Sequence, residues 1–217
     1  MKLAIFDLDN TLIGGDSDCL WGDFLSEQGY IDSDAYKKGH ERFYEQYTAG
    51  TMNIYEFLEF QLKVLADNDR TQLEEWRKCF VEEKIKPIML PKAIELINEH
   101  RDKNHELLII TATNRFITEP IANAFNIDNL IACEPEMVDG QYTGKVSGTP
   151  SFNEGKVTRL QEWLEKRGQE VEESWFYSDS HNDIPLLKEV DHAIAVDADE
   201  KLLEEAKKQN WPIISLR

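Results

Sequence analysis

A doubly wound α/β sheet, opened after its first strand by a long helical insertion, is the fold that this 217-residue sequence predicts. Three observations carry the prediction. Short apolar runs that end in acids or hydroxyls alternate with amphipathic helical patterns, the signature of a mostly parallel sheet covered on both faces. The alternation stops between Ser17 and Lys86, where aromatic and acidic residues recur at helical spacing and no convincing strand occurs. Glycine and proline are scattered rather than gathered into a linker, so a second domain has to be an insertion.

Lys2 to Phe6 is the first apolar run and ends at Asp7, a buried strand leading into polar residues. The helical stretch follows, with Trp21, Phe24 and Leu25 and then Tyr55, Phe57, Leu58, Leu62 and Leu65 at helical spacing. Its roughly 70 residues far exceed an ordinary connection and suggest a cap or lid over a site. The expected division is a core of residues 1–15 plus 88–217 and an inserted cap of residues 16–87. Beyond it, Pro91 to Arg101 reads as a helix, Leu107 to Thr111 as a strand and Thr118 to Phe125 as a helix. Met137 to Tyr142, centred on Asp139-Gly140, reads as a β-hairpin. Glu154 to Arg167 and Asp199 to Lys208 are helical, while Trp175 to Tyr177 and Ala193 to Val196 are strands.

The chain carries 42 acidic against 24 basic residues, a formal net charge of −18. Such a surface repels polyanions, which argues against nucleic acid and anionic membranes as partners, and a phosphate-bearing substrate would need a compensating cation. The 41% hydrophobic fraction is that of a globular chain. Asp7 interrupts the N-terminal apolar stretch too early for an export signal, and no run approaches the roughly 20 residues of a membrane span. Cytoplasmic location is expected. Cys19, Cys79 and Cys133 lack metal or disulfide spacing and read as reduced cysteines. The sequence carries no signature of a particular oligomeric state.

Asp7 and Asp9 stand at the carboxyl end of the first strand, the edge where open α/β sheets bind ligands. Alternate residues of an extended strand share a face, so the two carboxylates can reach one small volume, where a proton or a metal must relieve their repulsion. A lone pair of this kind is more often a strand end or a helix cap. Asp179 and Asp183 form a second pair after another apolar run, and two such pairs supply the hard oxygen ligands that suit Mg²⁺. Thr111 and Lys156, each bland by itself, add a hydroxyl and an ammonium of the kind that hold a phosphoryl group.

The order of these elements, Asp7-Leu8-Asp9-Asn10-Thr11, Thr111, Lys156, then Asp179 with Asp183, resembles the four motifs of the haloacid dehalogenase-like phosphatases over essentially the whole chain. The all-helical insert is similar to the first class of cap, as in the phosphoserine phosphatase-like branch. The resemblance implies a Rossmann-like core and a Mg²⁺-dependent phosphatase acting through an aspartyl-phosphate on a small phosphorylated metabolite. It makes Asp7 the nucleophile, Asp9 the general acid and base, and Asp7, Asp9 and Asp179 the metal ligands, with Asp183 steadying Lys156 and the metal. Thr111, Ala112, Asn114, Arg115, Lys156 and Asn182 fall to substrate binding. Asp16 stands where phosphoserine-specific members have a glutamate for the substrate amine. Thr113-Asn114-Arg115-Phe116 and Gly148-Thr149-Pro150-Ser151-Phe152 resemble a narrower group that includes histidinol-phosphate phosphatases.

Other readings compete. A receiver module also phosphorylates an aspartate, but on an interior strand and without a long insert; a dehalogenase of the same fold would not need Asp9. Phosphoethanolamine, lysophospholipid-type or sugar phosphates are alternative substrates to histidinol phosphate and phosphoserine. Arg115 is either a helix-start surface residue or a cation at the substrate mouth. Trp21, Tyr44 and Tyr47 are candidate substrate contacts, His181 is read as shaping its loop, and His40, His100 and His105 as ordinary surface residues.

Overall fold

The computed structural model describes residues 1–49 and 51–217. Strand β1 (Lys2–Phe6) leads into helices α1 (Ser17–Glu27), α2 (Ser33–Ala49), α3 (Ile54–Asp67) and α4 (Arg70–Phe80), then a π-helical turn at Val81–Ile85 and a 3₁₀ turn at Lys86–Ile88. There follow α5 (Pro91–Asp102), β2 (Glu106–Asn114), α6 (Arg115–Ala124), β3 (Asn129–Val138), β4 (Gln141–Ser147) and α7 (Glu154–Arg167). The chain ends with β5 (Glu173–Ser178), a 3₁₀ turn at His181–Asp183, α8 (Ile184–Leu187), β6 (His192–Val196), α9 (Glu200–Gln209) and β7 (Ile213–Ile214). The seven strands lie in the order β4-β3-β2-β1-β5-β6-β7, all parallel except the β3–β4 pair. This is the doubly wound sheet that the alternation predicts.

Strand β1 pairs with β2 on one side, Phe6 opposite Ile109, and with β5 on the other, Phe6 opposite Tyr177. Because side chains alternate across a strand, Leu3 and Ile5 enter one apolar layer with Leu108, Ile110, Phe176 and α7 to α9, while Ala4 and Phe6 enter the other. That second layer is continuous with the insertion, joining Phe6, Ile109 and Phe116 to Trp21, Phe24, Leu58, Leu62 and Phe80. The insertion enters and leaves the core at one point, where the Gly14 N–H donates to the Ile88 carbonyl at 2.8 Å and the Leu90 N–H to the Leu12 carbonyl at 3.1 Å. Helix α2 stands apart. Phe43 is its one fully buried residue among those described, held by Phe57 and Phe60 of α3, and it lies outside the large apolar layer.

The hairpin expected around Asp139-Gly140 is present, with φ of +51° and +81° at the two turn residues, as a tight twist-matching turn requires. It is longer than the six residues that signal it. Pro135 and two glutamates hide the rest of β3, and the ladder shifts register between Pro135 and Met137. Strand β7 has only two residues and carries no pattern to detect. Helix α6 starts three residues before the Thr118 boundary because Asn114 accepts the Ile117 N–H as its cap.

His100 corrects the expectation of a surface residue, being only 4% exposed. Its Nδ1 pairs with Nδ1 of His105 at 2.8 Å and its Nε2 with the Tyr177 hydroxyl at 2.9 Å. Burial, with His105 and Lys103 adding repulsion, lowers its pKa to about 4. The unfolded chain, whose histidines titrate near the ordinary value of about 6.5, therefore takes up this proton first on acidification. Stability linked to His100 is complete above that value and is lost as pH falls toward 4. His100→Gln should flatten the decline of the thermal midpoint between pH 6.5 and 4.5; parallel declines in the two proteins would refute the assignment.

Candidate active site

Strands β1, β2 and β5 are the three central strands, and their carboxyl ends form the crevice where the strand order reverses, the binding edge of this architecture. Asp7 and Asp9 follow β1, Thr111 and Thr113 lie near the end of β2, and Asp179 follows β5. Helix α7 delivers Lys156 from its first turn. A Cβ at Gly155 would stand 2.0 Å from the Pro150 carbonyl oxygen, so only glycine lets this turn seat so close to the preceding loop. A cavity of about 400 Å³ opens over these residues, and α2 and the start of α3 supply its opposite wall.

Lys156 is 3% exposed, and its ammonium donates to Asp7 Oδ1 at 2.8 Å and to Asp183 Oδ2 at 2.7 Å. Asp183 Oδ2 also accepts from the Ser178 hydroxyl at 2.7 Å. Burial alone would depress the ammonium, but Asp183 and Asp7 outweigh it and hold the pKa above the ordinary lysine value. The Thr11 hydroxyl lies 3.4 Å from Asp7 Oδ2 and 3.2 Å from Asp179 Oδ1, so one side chain touches the acids of both pairs. Asp9 is oriented separately: its Oδ1 accepts the Ser17 N–H at 2.7 Å, and its Oδ2 the hydroxyls of Thr113 at 2.9 Å and Thr111 at 3.4 Å.

Burial pushes the Asp7 carboxyl up to about 7, against the opposing pull of Lys156 and with repulsion from Asp183. Asp9 is raised to about 6 by burial and then by Asp16. Asp179 lies well above the ordinary carboxylate range through burial, Asp7 and Asp183. Asp7, buried, and Asp179, half-buried, are thus neighbouring acids with incomplete compensation, the electrostatic setting that a divalent cation relieves, and Mg²⁺ ordinarily takes one or two carboxylates beside its waters and substrate oxygens. The donor set fits Mg²⁺ with one correction. Among the described residues no three His, Cys, Asp or Glu side chains form a metal-holding group. The Asp9 carboxylate, expected as a third ligand, is turned instead to Ser17 and Thr113.

Asp16, Ala112, Lys156 and Asn182 line the cavity with the aspartates and Thr111, as do Tyr44 and Tyr47. Three expected contacts do not reach it. The Arg115 guanidinium binds both oxygens of Glu134, at 2.8 to 3.0 Å, and donates to the Leu130 carbonyl at 2.8 Å, which ties α6 to β3. Asn114 caps α6 and donates to Asp18 Oδ1 at 3.4 Å. Trp21 is buried among Phe24, Phe80 and Phe116. His181 shapes its loop as expected, through Asp199 at 2.7 Å, whereas His40 is a lining residue rather than an ordinary surface one. The cavity also holds Thr113 and Asp18, which the sequence reading passed over, and Thr11, outside the lining, touches two of its acids. Thr113 carried a signal, since it shares a strand face with Thr111 at two-residue spacing; Asp18 carried none beyond its nearness to Asp16.

Comparison with known proteins bears on the family and the fold. The family model described as haloacid dehalogenase-like hydrolase matches residues 4–188. Over 220 residues the chain is 42% identical to the histidinol-phosphatase of Neisseria meningitidis serogroup C (strain 8013), covering 100% of this chain and 99% of that one. A crystal structure of a protein with unknown function from Bordetella pertussis Tohama I superposes with a TM-score of 0.95 at 40% identity, over 100% of this chain and 99% of the other. A phosphoserine phosphohydrolase-like protein from Francisella tularensis subsp. tularensis SCHU S4 shares the fold, with a TM-score of 0.68 at 21% identity over 100% and 96% of the two chains.

Proposed function

Because the chain belongs to the haloacid dehalogenase-like hydrolase family and is a phosphatase, we propose that it hydrolyses a small amine-bearing phosphomonoester, with histidinol phosphate foremost, through an aspartyl-phosphate on Asp7 and with Mg²⁺ as cofactor. The full-length identity of 42% to a histidinol-phosphatase carries the substrate reading. The helical insertion acts in this reading as the cap that closes the substrate cavity.

Asp7 and Asp179 would hold Mg²⁺, whose charge would offset theirs and that of the phosphoryl oxygens. Lys156 keeps the Asp7 carboxylate in place through Oδ1 and, with the Thr111 hydroxyl, faces the region where equatorial oxygens gather negative charge. An Asp7 oxygen attacks phosphorus in line, and the bond from phosphorus to the alcohol oxygen breaks as the new one forms. Asp9, fixed by Ser17 and Thr113, gives its proton to the departing oxygen. It then takes one from the water that attacks the same phosphorus, which frees Asp7 and inorganic phosphate. A carboxyl raised to about 6 suits both roles, because an acid and base pair is most effective near the working pH.

The test is kcat/KM for histidinol phosphate, phosphoserine, phosphoethanolamine, a lysophospholipid-type phosphate and a sugar phosphate, before and after chelation. Histidinol phosphate should lead by at least about tenfold, a gap within reach of one extra polar contact. Chelation should lower turnover by at least about 100-fold, and added Mg²⁺ should restore it. A sugar phosphate at the head of the ranking would replace the substrate reading, and full turnover without divalent cations would remove Mg²⁺ from it.

A further inference from the structure

Phosphoryl transfer leaves the far wall of the cavity without a task. That wall carries His40, Phe43, Tyr47 and Phe57 from α2 and α3, and the start of α1 adds two carboxylates, Asp16 and Asp18. Asp16 commits one oxygen to capping α1, accepting the Cys19 N–H at 2.9 Å. Asp18 is 5% exposed, and the Asn114 amide that approaches it stands at 3.4 Å. Tyr36 of α2 packs on α1 at Gly22, four residues beyond Asp18, so α2 covers this stretch of the helix. Lys156, the lining lysine, is already shared by Asp7 and Asp183. The lining holds seven aspartates, so even a divalent cation beside Lys156 leaves negative charge in excess, and Asp16 and Asp18 carry part of it at the start of α1. A buried carboxylate with no cation is costly, and aromatic faces attract cations.

We propose that Asp18 is the specificity-determining residue of this phosphatase: its carboxylate receives a nitrogen cation carried by the leaving alcohol, enclosed by the rings of Phe43, Tyr47 and Phe57. The inference rests on the phosphatase reading above and extends it to a residue outside the four motifs. It also moves the principal recognition of the amine from Asp16, which is half spent on capping, to the more deeply buried acid two residues further on, in the first turn of α1.

The experiment measures kcat/KM in wild type, Asp18→Asn and Asp18→Glu with four substrates: histidinol phosphate, phosphoethanolamine, 2-(imidazol-4-yl)ethyl phosphate and, as the cation-free reference, p-nitrophenyl phosphate. Asp18→Asn should lower the ratio of each preferred cationic substrate to the reference by about 10- to 100-fold, mainly through KM, the scale of one charge-assisted hydrogen bond. Asp18→Glu, which keeps the charge, should retain most of the ratio. The amine-only and imidazole-only substrates show which nitrogen Asp18 meets. A preference that survives in Asp18→Asn overturns this inference and leaves the substrate reading intact, as does an equal loss on all four substrates in both variants, which marks a structural role. A wild type without preference for cationic substrates overturns both.

Discussion

Asp7→Asn should abolish phosphatase turnover, by at least about 10³-fold on any substrate, while leaving the fold intact. The amide keeps the shape of the carboxylate but cannot form the acyl-phosphate bond, so the loss falls on kcat. Stability should hold or rise, because burial, the largest influence on Asp7, already disfavours its charged form. Lys156 would keep Asp183 as its partner at 2.7 Å. Steady-state hydrolysis of p-nitrophenyl phosphate, with mass spectrometry to exclude deamidation, checks the first part, and thermal unfolding the second. Undiminished turnover in the intact amide variant would end the aspartyl-phosphate mechanism; a collapse of stability would show Asp7 to be structural.

Lys156→Met should remove both activity and stability, which separates it from the first variant. The ammonium joins two acids that are themselves buried, at 2.8 and 2.7 Å, and its loss leaves Asp7 and Asp183 without a cation. Removing one partner of a buried ion pair costs about 3–5 kcal/mol. Urea unfolding should show a loss of that size. The double variant Lys156→Met with Asp183→Leu should recover part of it, since the second uncompensated charge is gone, yet stay inactive because the ammonium that positions Asp7 and faces the phosphoryl oxygens is absent. A single variant with native stability would mean that Asp7 and Asp183 are protonated or otherwise compensated without the lysine.

These contrasts show why parts of the molecule were legible in the sequence and others were not. Strands β1, β5 and β6 are buried on both faces, so continuous apolar runs mark them, and the acids just beyond stand out against such runs. Asp7, Asp9 and Asp179 could be picked out because topology brings the ends of β1 and β5 together, whereas Thr111 and Lys156, bland singly, stood out through the order of the family's motifs. Arg115 and Asn114 could not be placed, because a side chain's direction depends on partners distant in sequence: Glu134 for one, the α6 cap and Asp18 for the other. Asp9 shows the same limit at closer range. Two residues from Asp7, its carboxylate faces Ser17 and Thr113 instead of the Asp7–Asp179 pair, since the chain leaves the extended form and reaches positive φ at Asn10. His100 escaped notice because burial of a histidine depends on its neighbours, not on its own polarity.

The position of α2 outside the large apolar layer bears on timing. Segments with few buried apolar contacts open at lower free energy than those woven into a core. The helices α1, α3 and α4 share their apolar layer with Phe6, Ile109 and Phe116, so swinging the whole insertion away would tear a continuous hydrophobic seam. Among the contacts that lifting α2 alone breaks are the packing of Phe43 on two rings of α3, the Tyr36 stack on Phe60, the Tyr36 hydroxyl's bond to Gln61 at 3.2 Å and the bond between the Tyr47 and Ser180 hydroxyls at 2.9 Å. Of the helices of the insertion, α2 is therefore the one that can lift at least cost, and its Tyr47–Ser180 bond sits next to Asp179. The wall that faces the phosphate-handling groups is thus the least firmly held part of the cavity, and its hold can be changed without touching any of those groups.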